Sequence, residues 1–236
     1  MPDITLAALG VCLLPVLGVA WISHRWSEGG RETLLATGRM LVQLIGVGFV
    51  LIFVFASDNA AVGFGVVAVM VAASSAISIR TVKHDRLFAL WRALVAIGLA
   101  GGFTLALVLF AVLRLSDPWY QPRVIIPIAG MVFSNAMTAI TLAAERMARE
   151  RVGGAAPETV RSAAWSAAMI PQINALYAVG LVSLPGMMTG QILSGVDPLV
   201  AVRYQIVVMA MILQSAGFAV AIFLWLSKAA DRSPAG

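Results

Sequence analysis

Charged residues are scarce in this sequence of 236 residues. Lysine, arginine, aspartate and glutamate together make up 11% of the chain, whereas 61% of its residues are hydrophobic. A soluble domain carries about 25% charged residues, so this chain has too few polar side chains to cover a surface in water. The composition argues against a water-soluble enzyme and predicts an all-α integral membrane protein.

Cysteine, histidine and lysine are scarce as well. Cys12 is the one cysteine, so an internal disulfide and a Cys-x-x-Cys metal pair are both excluded. The histidines, His24 and His84, belong to no cluster with metal-ligand spacing and to no nucleophile and base pair. Neither lysine follows a glycine, so the chain lacks a phosphate-binding Walker A loop. We therefore expect no catalytic residues, no confident metal site and no cofactor in this chain.

Long apolar runs are what the sequence has instead. A hydrocarbon core about 30 Å thick requires about 20 apolar residues in a helix. This criterion predicts about seven transmembrane helices in one transmembrane domain, 1–236, without a soluble domain. The predicted spans are 4–22, 34–56, 60–79, 93–113, 124–144, 162–182 and 206–227. The sixth is the weakest, and an amphipathic helix is its alternative, because it contains Ser162, Ser166, Pro171, Gln172 and Asn174.

The basic residues are distributed unequally between the two sides of these spans. Thirteen fall on one side and three on the other, so the positive-inside rule predicts an N-terminus outside and a C-terminus in the cytoplasm. The three are Arg114, Arg123 and Arg203, and the thirteen include Lys83, Arg92, Arg161, Lys228 and Arg232. Because these cations lie between apolar runs and form no stripe on a soluble face, nucleic acid is not an expected partner.

Two predicted spans carry polar residues that a lipid-facing helix would lack. Arg39 and Gln43 lie one turn apart in the second span, where they could line a polar cavity, although the favoured interpretation is that the Arg39 side chain reaches the headgroups. Asn135 lies near the middle of the fifth span, eight residues after Pro127. A buried amide there could join helices or line a transport path.

The stretch from Gly180 to Gly195 is apolar but rich in helix-breaking residues. Such a sequence between two spans predicts a broken or re-entrant segment that packs against protein. We expect its polar, soft and backbone-bending residues to line a translocation path, and these candidates are Ser183, Pro185, Gly186, Met187, Met188 and Gln191. Met187 and Met188 point about 100° apart on a helix, so gap filling is favoured over metal chelation for this pair.

Several of these stretches together resemble a known family. The chain is similar to the membrane subunits of bacterial iron-export ABC transporters, the FetB-like family, which includes subunits of plant aluminium-tolerance transporters. The resemblance rests on Gly38-Arg39 with Gln43-Leu44, on 124–131 with Asn135-Ala136-Met137, and on 180–190 with Asp197-Pro198 and Tyr204-Gln205. It implies a homodimeric permease in the inner (plasma) membrane that exports a metal ion. It also implies a cytoplasmic ABC ATPase partner that hydrolyses Mg-ATP.

The connection between the fifth and sixth spans departs from that family. Family members have a longer segment there, which contacts the ATPase. Here the corresponding stretch, 152–158 within the connection 145–161, is shorter, and the candidates for ATPase coupling are Gly153, Gly154, Ala155, Pro157 and Glu158. Two alternatives remain open, a secondary transporter driven by an ion gradient and a membrane scaffold. The first is disfavoured because no acidic residue lies inside a predicted span.

Overall fold

The computed structural model describes residues 5–27, 29–57, 59–82, 85–115 and 120–231. Within these ranges the chain forms eight α-helices and no β-strand, and it divides into two compact units, Met1–Ser57 and Asp58–Gly236. The helices are α1 (Leu6–Ser27), α2 (Gly30–Phe55), α3 (Ala60–Ser78), α4 (Arg86–Ala106), α5 (Pro122–Val152), α6 (Pro157–Ala178), α7 (Gly186–Leu193) and α8 (Pro198–Asp231). A π-helical turn, Leu107–Val112, extends α4. The all-α prediction is confirmed.

Six helices in the described part of the chain are long and apolar enough to cross a membrane. They are Ala7–Ser27, Gly30–Phe55, Ala60–Ser78, Arg86–Val112, Pro122–Val152 and Pro198–Lys228. These helices match six of the predicted spans, although most extend further, because helical sequence continues into polar flanks that a hydropathy criterion does not include. The predicted span 162–182 does not meet the criterion. It falls on α6, whose polar residues lower its hydropathy, and the helix ends earlier, at Ala178.

The first unit is a helical hairpin of α1 and α2. Gly29 donates a backbone hydrogen bond to the carbonyl of Ser23 at 3.2 Å, which closes the turn between the helices. At Gly30 a Cβ atom would lie 2.6 Å from the carbonyl oxygen of Ala20. The backbones of α1 and α2 can therefore approach this closely only because residue 30 has no side chain. The guanidinium of Arg25 lies 5.5 Å from the centre of the Trp21 ring, within the range of a cation–π contact.

In the second unit, α3, α4, α5, α6 and α8 run alternately up and down. The residues after α3, the end of α5 and Phe223 of α8 line one cavity, and the end of α5, the start of α6 and the end of α8 line another. These helix termini therefore share one end of the unit. We call this the basic end, and it carries Arg92, Arg149, Arg151, Arg161 and Lys228.

The three basic residues that the sequence places on the opposite side of the spans lie toward the other end of the second unit. Arg114 follows the π-helical turn after α4, Arg123 is in the first turn of α5, and Arg203 is in the second turn of α8. Within the unit, the two groups of cations inferred from the sequence are thus separated in space. Lys83 and Arg232 lie outside the described residues. The side of the membrane that each end faces stays a prediction.

Helix α5 is the centre of the second unit, since it contacts α3, α4, α6 and α8. Small residues occupy several of its contact positions, and four of them, Ala129, Ala136, Ala139 and Ala143, are completely buried, at spacings of seven, three and four residues. Small side chains allow helix backbones to approach closely, and this close contact is the main attraction between helices in lipid. The alanines of α5 therefore determine how tightly its neighbours pack.

Glycine pairs four residues apart are frequent sites of helix crossing, and two such pairs occur here, Gly98 with Gly102 and Gly186 with Gly190. A Cβ built on Gly98 would meet only Val71 of α3, at 3.9 Å, and no neighbouring atom lies within 4 Å of a Cβ built on the other three. The close approach occurs at Gly101, where a Cβ would lie 2.5 Å from the Phe133 ring of α5. Phe133 is only 2% exposed and has no room to move.

We predict that Gly101→Ala destabilises the second unit. Overpacking costs about 1–3 kcal/mol, which exceeds the gain of about 1 kcal/mol from replacing glycine in a helix. Thermal unfolding of the detergent-solubilised protein measures the effect, and Gly102→Ala is the matched control. We expect a lower midpoint for the first variant and an equal or higher one for the second. Equal midpoints for both variants would contradict close packing at Gly101.

Candidate functional site

The segment between α6 and α8 is a broken helix. Val179 adopts an extended conformation directly after α6, and Gly180 has a φ of +83°. The amide of Gly180 donates a hydrogen bond to the carbonyl of Ser183 at 3.0 Å. The amides of Val182 and Ser183 donate to the carbonyl of Ala178, at 2.8 and 3.1 Å. These bonds satisfy backbone groups that a continuous helix would satisfy internally. The prediction that this stretch does not form one straight helix is confirmed.

Helix α7 follows this turn and has only eight residues. At 1.5 Å per residue it is about 12 Å long, too short to cross a membrane. Pro185 precedes its first turn in extended conformation, and Gly195, with a φ of +89°, follows its end. The Asp197 carboxylate then accepts hydrogen bonds from the amides of Leu199 and Val200, at 2.8 and 3.2 Å, and so caps α8.

Of the ten path candidates, six lie together in this broken segment. Met187 packs against the hydrophobic core, while Met188 lines a cavity of about 490 Å³ with the end of α6 and the first half of α8. The two sulfurs thus have different surroundings. Ser183 and Gly186 are exposed, and Gln191 is half-buried.

The other four candidates lie elsewhere. Arg39 and Gln43 are exposed residues of α2, in the first unit. On α5, Pro127 is exposed and Asn135 is half-buried. The Asn135 amide nitrogen donates to the carbonyl of Met131 in its own helix at 2.8 Å, so this donor does not join two helices.

The structure adds a residue that the path candidates omit. Gln205 of α8 is 4% exposed and lines the same cavity as Met188. The predicted span starts at 206, which placed Gln205 in a loop, whereas α8 begins at Pro198. The signal that could have identified it is an amide directly before an apolar run.

Buried amide oxygens without partners accompany the broken segment. In the described part of the chain, the Oε1 atoms of Gln191 and Gln205 have no hydrogen-bond partner, and neither does Oε1 of Gln214 further along α8. Leaving a buried acceptor unsatisfied costs about 1–3 kcal/mol. The oxygen of Gln191 belongs to α7 and that of Gln205 to the first half of α8, so two of the three unpaired oxygens lie in or beside the broken segment.

The connection between α5 and α6 is much shorter than 145–161. Residues 145–152 belong to α5 and 157–161 to α6, so only four residues, 153–156, lie between the helices. Gly154 has a φ of +72°, and the amides of Gly153 and Ala155 donate to carbonyls in the last turn of α5, each at 3.1 Å. Pro157 then starts α6. The loop is a tight turn without a separate helix.

Three of the coupling candidates meet the end of α8. Ala155, Pro157 and Glu158 line a small cavity of about 100 Å³ together with Ser227 and Lys228. Gly153 and Gly154 are exposed. Two ion pairs stiffen the preceding turns of α5, Arg146 with Glu150 at 2.6 Å and Arg149 with Glu145 at 2.5 Å.

Among the described residues, no group of three or more histidine, cysteine, aspartate or glutamate side chains is placed to hold a metal ion. The polar groups of the broken segment are amides, hydroxyls, thioethers and one carboxylate, that of Asp197, which caps α8. They can accept hydrogen bonds or contact a partly hydrated cation, but they offer no fixed set of anionic ligands.

Comparison with known proteins identifies the family. The uncharacterised protein family UPF0014 matches residues 6–154 and 152–230. The UPF0014 membrane protein slr1647 of Synechocystis is 36% identical over 222 residues, which cover 85% of this chain and 84% of that protein. The "Probable iron export permease protein FetB" of Escherichia coli is 31% identical over 241 residues, covering 95% and 91%. The Arabidopsis protein ALUMINUM SENSITIVE 3 is 30% identical over 226 residues, covering 89% and 80%.

No solved structure matches the chain. The relatives match over most of their own length, and those described as membrane proteins agree with the six apolar helices found here. The chain is therefore a multi-pass membrane protein that belongs to the UPF0014 family.

Proposed function

We propose that this protein is the membrane-spanning permease subunit of an ABC transporter in the inner membrane and that it exports a metal ion, iron. A separate cytoplasmic ATPase would bind and hydrolyse Mg-ATP. The support is the family membership together with the printed name of the E. coli relative, an iron export permease. This chain would supply the path through the membrane.

The observation that carries this proposal is the broken segment at 179–197. Irregular backbone at membrane depth is stable only where it is buried in protein or lines a water-filled cavity. Here it lies beside a cavity and beside the unpaired oxygens of Gln191 and Gln205. An acceptor without a partner in one conformation can gain a partner in another, so α7 and the start of α8 are suited to alternate between two packings.

The basic end of the second unit would face the cytoplasm, as the positive-inside rule implies. With 22 residues, α6 is about 33 Å long and extends between the same two ends as its neighbours. It would therefore be the remaining crossing, despite its polar residues. The turn at 153–156 would then meet the ATPase, and a displacement there would pass along α5 to the helices packed around it.

A second copy of the chain would cover the polar face of α6. Ser162, Ser166 and Asn174 are exposed on this helix, and in the described structure none of them has a side-chain hydrogen bond. An amide or hydroxyl exposed to lipid without a partner is unfavourable. Pairing these faces in a homodimer would remove them from lipid and place the path between the subunits.

The central experiment measures ATP hydrolysis in liposomes that contain this protein and the ABC ATPase that co-purifies with it. We expect hydrolysis to be stimulated by iron and to require this subunit, and the ATPase alone is the control. Aluminium and zinc test the substrate class. Iron transport driven by an ion gradient without an ATPase would replace the proposal with a secondary transporter.

We predict that Gln205→Leu lowers metal transport at least tenfold without destabilising the protein. The substitution removes an unsatisfied buried acceptor, so the unfolding midpoint is unchanged or higher. Gln214→Leu is the matched control, because it removes the same kind of unpaired oxygen away from α7, and it should transport normally. Normal transport by both variants would remove Gln205 from the path.

We also predict that Ser166→Cys, in a Cys12→Ala background, forms a disulfide-linked dimer upon mild oxidation in membranes. Val69→Cys is the control, because Val69 is 68% exposed on α3, on a helix with no proposed interface. Gel electrophoresis without reductant separates monomer from dimer. Equal crosslinking at the two positions would contradict an interface at α6.

A further inference from the structure

A further cavity at the basic end lies between the start of α6 and the end of α8. Its volume is about 470 Å³. Arg161, Ser162 and Trp165 line it from α6, and Trp225 and Lys228 line it from α8. None of these residues belongs to the path candidates or to the turn proposed to meet the ATPase.

Two positive charges face this cavity from different helices. Among the described residues that line it none is acidic, and in the described structure neither Arg161 nor Lys228 has an ion pair or a side-chain hydrogen bond. Glu158 lines the adjacent small cavity together with Arg151 and these two cations. Basic side chains therefore outnumber the acidic one among the described residues that line the two cavities.

Tryptophan forms the other walls. Trp165 is 40% exposed and Trp225 is 69% exposed. The far edge of the Trp165 ring lies over Gly217 of α8, where a Cβ atom would be 3.8 Å away. Tryptophan is enriched at the level of lipid headgroups, because its ring is amphipathic. Tryptophan beside two cations is typical of the boundary between hydrocarbon and water.

We propose that this cavity binds the phosphate-bearing headgroup of an anionic phospholipid. The planar guanidinium of Arg161 can donate two parallel hydrogen bonds to phosphate oxygens, and Lys228 can add a point charge. Basic pockets between transmembrane helices on the cytoplasmic side are suited to such headgroups. The tryptophan walls favour a lipid over a free anion, because a soluble phosphate has no acyl or glycerol part to contact them.

A lipid bound here would join the first turns of α6 to the last turns of α8. These turns flank the connection at 153–156, so the lipid would restrain the end of the unit at which α5 turns into α6. The binding itself does not depend on the proposed transport function.

The test measures lipid binding to the full-length protein in detergent. Native mass spectrometry and thermal unfolding are recorded with phosphatidylglycerol and with phosphatidylcholine. We expect phosphatidylglycerol to be retained and to raise the unfolding midpoint, and phosphatidylcholine to do neither. Removing each cation should weaken phosphatidylglycerol binding roughly fivefold, so the double variant Arg161→Gln/Lys228→Gln should lose about 25-fold.

Arg123→Gln/Arg203→Gln is the matched control, because it removes two cations near the opposite end of the unit. This variant should bind phosphatidylglycerol as the unaltered protein does. If both double variants lose binding equally, the attraction is nonspecific and the proposal fails. If inorganic phosphate gives the same stabilisation as phosphatidylglycerol, the cavity is a soluble-anion site and the lipid assignment is overturned. If the double variant does not fold in phosphatidylcholine, the single variant Arg161→Gln replaces it, because Arg161 is exposed. Its binding of phosphatidylglycerol is then compared with that of the unaltered protein.

Discussion

Close contact between small side chains is the interaction on which the second unit depends. Between helices in lipid there is no hydrophobic driving force, so association relies on van der Waals contact and interhelical hydrogen bonds. The buried alanines of α5 make that contact with four neighbouring helices, and Gly101 allows Phe133 to pack against α4. Because α5 is central, a change at its end can reach every helix packed on it.

The broken segment shows a second constraint, the satisfaction of backbone polar groups in an apolar environment. Turns at Gly180 and Gly195, an extended Pro185 and the Asp197 cap allow the chain to leave α6, form the short α7 and enter α8. The backbone bonds are made locally, so the segment remains ordered. The oxygens left unpaired belong to side chains, Gln191 and Gln205. A change of packing could give these two side-chain oxygens hydrogen-bond partners, whereas the backbone groups already have theirs.

Much of the fold could be predicted from the sequence because hydrophobic length is a one-dimensional property. The span 60–79 agrees with α3 to one residue, and the helix breakers from 180 onward indicate the interruption correctly. The ends of α5 and α8 could not be predicted in this way, since helical sequence continues beyond the apolar run. For the same reason Gln205 was assigned to a loop, although it lies two turns inside α8.

The sequence by itself determined that the chain crosses a membrane, that its cations divide into two groups and that the stretch before α8 is broken. Each of these follows from composition and order along the chain. Only the tertiary structure decided that Gly101 and not Gly102 meets a neighbouring helix, that 153–156 is a tight turn, and that Arg161 and Lys228 face one cavity. These features depend on which face of a helix meets its neighbour. That choice is made by packing between residues far apart in sequence, which a pattern along one chain does not contain.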